Sequence, residues 1–67
     1  MEAIINGLEY KSVVKNSTNN ENDISVTIFQ GKTPVTGTRL NKTFTEEEIE
    51  YLCIRMLNDY INQKRLF

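Results

Sequence analysis

The residues of this 67-residue chain that could do chemistry are few, and the densest group is TFTEEEIEYL, Thr43 to Leu52. Glu46, Glu47, Glu48 and Glu50 stand there within five positions. Carboxylates so close suggest a divalent-cation site or an acid–base pair. On a helix, however, consecutive side chains project about 100° apart, so Glu46, Glu47 and Glu48 diverge and only Glu46 and Glu50 share a face. A catalytic metal centre needs further ligands, and the chain has no histidine to supply one. The same acids suit a helix start. Thr45 and Glu48 have the spacing of a capping box, Phe44 and Ile49 that of a hydrophobic staple, and the helix dipole favours each early carboxylate by about 0.3–1 kcal/mol. The spacing predicts a structural cap built from Phe44, Thr45, Glu48 and Ile49, with no metal and no cofactor.

Other nucleophiles fare no better. Cys53 falls within an apolar stripe, the place of an inert buried thiol, and it has no histidine to activate it. Ser12, Ser17 and Ser25 likewise lack a general base of suitable pKa. Gly31-Lys32-Thr33 matches only the tail of a phosphate-binding loop, without the first glycine and the spacing that such a loop requires. No catalytic residue is expected, and the chain reads as a non-enzyme.

Composition narrows the remaining classes. With 39% hydrophobic and 25% charged residues, the chain has the make-up of a folded globular domain. Its length suits a single domain, 1–67, whose small core gains from dimerisation. The net charge is −1, so no global field draws it to polyphosphate. Residues 1–44 carry five cations against four anions, and residues 45–67 three against five. A lone cysteine forms no internal disulfide, and no apolar run approaches a membrane span, so a cytoplasmic location without membrane contact is expected. Richness in Asn, Ile and Lys suggests an AT-rich bacterial, phage or mobile-element origin.

The elements that would position any site follow from periodicity. Asn6-Gly7 between apolar runs calls for a type I′ hairpin joining strands over about 2–5 and 8–15. The second of these puts Leu8, Tyr10, Ser12 and Val14 inwards and Glu9, Lys11, Val13 and Lys15 outwards. Asn16 to Asp23 reads as a polar connection. A strand over about 24–30 then turns Ile24, Val26 and Ile28 to the core and Ser25, Thr27 and Phe29 away. Gly31 to Gly37 reads as a turn, because Pro34 argues against a central strand and Gly37 can take a positive φ. The last strand is placed over about 38–44, with Leu40, Lys42 and Phe44 on one face and Arg39, Asn41 and Thr43 on the other. From Thr45 the period becomes 3.6, predicting a helix over about 46–64. Its stripe is Ile49, Leu52, Cys53, Met56, Leu57 and Tyr60, with Ile54 and Ile61 beside it. The apolar tail Leu66-Phe67 would fold back on the sheet or dock on a neighbour. The expected fold is α+β: an antiparallel three- to four-stranded meander packed on one C-terminal helix, ββββα.

Two binding readings remain. Lys11, Val13, Lys15, Phe29, Arg39 and Asn41 share the outer face of the sheet, and Ile54 and Ile61 add apolar surface on the helix. Together they suggest a small interaction module for another protein or for itself as a homodimer, such as a phage or mobile-element regulator or inhibitor of a host protein. The second reading is a βββα nucleic-acid binder using the same sheet face. Gly37 to Glu48 resembles, in pattern, the strand-to-helix joint of the arm-type DNA-binding domains at the front of phage-type integrases. The likeness covers under a third of the chain. Those domains usually carry lysines at the helix start, where this chain has Glu46, Glu47 and Glu48. The double-stranded-RNA-binding domain fits less well, since it adds a leading helix and a basic helix start. The acids therefore favour a protein partner over nucleic acid.

Overall fold

A computed structural model of the protein describes residues 1–17 and 21–65, the last two by backbone alone. Four strands and one helix follow in order: β1 (Glu2–Ile5), β2 (Leu8–Asn16), β3 (Asp23–Gln30), β4 (Thr33–Asn41) and α1 (Glu46–Arg65). The strands pair antiparallel as one sheet in the order β1-β2-β3-β4, which is the ββββα arrangement expected of the sequence. Residues 18–20 of the polar connection and the tail Leu66-Phe67 lie outside the described residues.

The turns are set by local chemistry. Asn6 and Gly7 both have positive φ, 53° and 79°, as a type I′ hairpin requires, and its right-handed twist matches that of the strands it joins. The β3–β4 hairpin is tighter than the expected seven-residue turn. Gln30 pairs with Thr33, and Gly31 (φ 62°) takes the positive-φ first position of a two-residue loop, the type II′ pattern.

This tight turn moves the last strand to Thr33–Asn41 from the expected 38–44, so Pro34 lies inside a strand. β4 is at the sheet's edge, where one side of the backbone makes no ladder bond and a proline is tolerated. A bulge accommodates it: Thr36 opposes Ile28 while Pro34 opposes Phe29, so Val35 is the extra residue, and it packs against the core. Gly37 does not have a positive φ. Its lack of a side chain matters for another reason: a Cβ there would come within 2.9 Å of the Val26 carbonyl oxygen. The strand ends at Asn41, whose side-chain oxygen accepts from the Thr43 backbone nitrogen at 2.9 Å while its carbonyl accepts from Phe44 N at 3.2 Å. Lys42 and Phe44 therefore leave the strand's alternation.

The helix packs across β3 and β4. The buried core is Tyr10, Val26, Ile28, Cys53 and Leu57, with Ile24 also buried. Met1, Ala3, Ile5, Leu40, Ile49, Met56 and Tyr60 pack around the core cluster. Ile61 belongs there too, half-buried, where the sequence placed it only beside the stripe. Because one helix covers only part of the sheet's inner side, Leu8 and Val14 stay 43% and 46% exposed although their strand parity points them inwards.

Candidate functional site

The strand register builds the outer sheet face row by row, since residues opposite one another across antiparallel strands project to the same side. One row runs Glu2–Lys11–Phe29–Pro34, the next Val13–Thr27–Gly37, and the next Lys15–Ser25–Arg39. Asp23 and Asn41 form the last row, beside the helix entry. The register thus brings Lys11, Val13, Lys15, Phe29, Arg39 and Asn41 onto one surface. Ile54 and Ile61 lie across the molecule on the helix.

The centre of this face is Val13, Thr27 and Phe29, all half-buried among their neighbours, with exposed Pro34 at its edge. Gly37 contributes no side chain, and its close approach to Val26 keeps the position bare. Val13, Thr27, Phe29 and Pro34 thus make an apolar and hydroxyl-bearing strip, with the Ser25–Arg39 pair in the next row. Lys11, Lys15 and Arg39 stand exposed around it. Two strand spacings, about 10 Å, separate Lys15 from Arg39 across their row.

Two contributors were not legible as site residues. Pro34 reads in sequence as turn chemistry, and only the register sets it beside Phe29. Ile4 has the outward parity of β1 and is 72% exposed. It helps to line an open hollow of about 750 Å³ between the first hairpin and the Gly31-Lys32 turn, together with Glu2, Glu9 and Lys11. The apolar–polar alternation of so short a strand carries little signal.

Asn41 is partly committed elsewhere, because its side-chain oxygen holds the turn at Thr43. Of the carboxylates of TFTEEEIEYL, Glu48 is engaged with the helix start. Thr45 N donates to Glu48 Oε1 at 3.0 Å, and Glu48 N donates to Thr45 Oγ1 at 3.2 Å. Phe44 and Ile49 are both half-buried on either side of that cap. Among the described residues, no group of three or more His, Cys, Asp or Glu is arranged to hold a metal ion. Cys53 is a free thiol with no solvent exposure. No described helix is long and apolar enough to cross a membrane.

No protein-family model, curated protein or solved structure matches the chain. The outer face presents apolar side chains and hydrogen-bonding groups. Charge on that face is mixed. Lys11, Lys15 and Arg39 share it with Glu2, Glu9 and Asp23, by the same register. A surface for polyphosphate needs an excess of cations, whereas protein interfaces combine an apolar centre with a polar rim of both signs.

Proposed function

We propose that this protein is a non-enzymatic interaction module that binds another protein across the outer face of its sheet. The observation that carries this reading is the uncovered strip of Val13, Thr27, Phe29 and Pro34 with exposed charges of both signs around it. A helix packs on the opposite side of the sheet, and no described element packs on this one. Phe29 is the anchor, since large aromatic side chains at the centre of a patch supply most of the binding energy in such interfaces. Lys11, Lys15 and Arg39 form the rim that sets orientation and encounter rate.

A chain that binds without chemistry acts by occluding or holding its partner's surface, which is what a regulator or inhibitor does. Such a role in the cytoplasm of an AT-rich bacterium, carried by a phage or mobile element, suits the chain's richness in Asn, Ile and Lys. The test is capture of the partner from the native host by wild-type protein and by a Phe29→Asp variant. The variant is expected to lose the partner while keeping its circular dichroism spectrum. Tight binding of DNA or RNA at about 50 mM salt, falling steeply as salt rises, would replace this reading with the nucleic-acid one.

A further inference from the structure

The helix carries a second pattern besides the stripe that packs on the sheet. Glu47, Tyr51, Ile54, Asn58 and Ile61 follow at spacings of four, three, four and three. That alternation keeps a row of side chains along one seam facing a neighbouring helix. Cys53 and Leu57 face the core, whereas on this seam Tyr51 is 62% and Ile54 47% exposed. Ile61 is half-buried against the core at the lower end, so the seam is continuous with the body of the protein.

We propose that this seam pairs with the same seam of a second copy of the chain, antiparallel, about a two-fold axis near Met56. Charge selects both the occupant and the direction. The first turn is Glu46, Glu47 and Glu48, with Glu50 following, while the sequence ends the helix with Lys64 and Arg65. An antiparallel pair lays each acidic end along the basic end of the other copy and opposes the two helix dipoles. A parallel pair would set acid against acid. The antiparallel register is self-complementary: Tyr51 faces Ile61 of the second copy and Ile54 faces its Asn58, as a two-fold contact requires. At 1.5 Å per residue the paired stretch is about 27 Å long. Near the axis the two Arg55 side chains approach each other at the solvent edge, where each lies over its own Tyr51 ring, 6.0 Å from the centroid, and water screens their charges.

This inference does not depend on the proposed function. The helix and the outer face lie on opposite sides of the sheet, so a dimer formed through α1 keeps two binding faces open and pointing apart. A two-chain assembly of this kind is bivalent, which raises its hold on any partner that presents its site twice.

Sedimentation equilibrium of the full chain tests the assembly. Wild type is expected to show twice the 7.8 kDa of one chain, Ile54→Asp the single mass, and Phe29→Asp the double mass, all with unchanged helical circular dichroism. Direction is tested by oxidation: a mixture of Ile54→Cys and Asn58→Cys chains is expected to form mixed disulfide dimers, and Ile54→Cys alone few. Wild type that is monomeric at about 1 mM overturns the proposal. So does a dimer that survives Ile54→Asp but is dissolved by Phe29→Asp. Efficient cross-linking of Ile54→Cys to itself overturns the antiparallel register. Loss of partner capture in Phe29→Asp with the mass unchanged bears only on the sheet face.

Discussion

Thr45 and Glu48 hold each other's backbone nitrogens: Glu48 Oε1 accepts from Thr45 N at 3.0 Å, and Thr45 Oγ1 accepts from Glu48 N at 3.2 Å. Ile49 N, bonded at 3.0 Å to the Thr45 carbonyl, makes the first helical bond after them. Two donors that a helix start leaves without intrahelical partners are thereby satisfied by side chains three residues apart. Glu48, one acid of the run, is with Thr45 the means by which the sheet hands over to the helix.

Thr45→Ala is expected to lower stability by about 0.5–2 kcal/mol, and Thr45→Ser, which keeps the acceptor oxygen, by much less. Glu48→Ala removes the other half of the box and is expected to cost a similar amount. Urea unfolding monitored at 222 nm measures all three. A Thr45→Ala midpoint equal to wild type would show that the cap contributes nothing to stability.

Glycines in this chain serve two different ends, and alanine separates them. At Gly37 the added Cβ meets a backbone oxygen at 2.9 Å, so β3 and β4 must move apart, at about 1–3 kcal/mol. At Gly7, with φ 79° and nothing within 4 Å of an added Cβ, Ala pays only for its backbone conformation, about 1–2 kcal/mol. Gly7→Asn is expected to recover much of that loss, because Asn tolerates positive φ. Gly37→Asn recovers none. Equal responses of the two sites to Asn would contradict this division.

Ile28 and Val14 both point to the helix side of the sheet, yet their truncation is expected to have unequal effects. Ile28 has no solvent exposure and sits in the core cluster with Cys53 and Leu57, so Ile28→Ala should cost about 2–5 kcal/mol. Val14 is 46% exposed, and Val14→Ala should stay within about 0.5 kcal/mol. Chemical unfolding of the two variants reads the difference. A large loss at Val14 would mean that the sheet's inner side is covered beyond the reach of α1.

The sequence by itself determined the features whose causes are local. Asn6-Gly7 dictates its own turn through the φ values it tolerates. Ile24, Val26 and Ile28 dictate a half-buried strand by their alternation, and Thr45 and Glu48 fix a helix start with atoms three residues apart. Tertiary structure decided the rest, because those features depend on which strand lies where. Pro34 forbids a strand only if both sides of its backbone must pair, and β4's place at the sheet edge removes that condition. Leu8 and Val14 share a parity with Tyr10, but only Tyr10 is buried, since the area one helix can shield is not written in any strand. The outer face follows the same rule. The alternation within β2 and β3 names Lys11, Val13 and Phe29 as outward residues, but Pro34 and Gly37 join them only through the bulge at Val35, a register choice made between two strands.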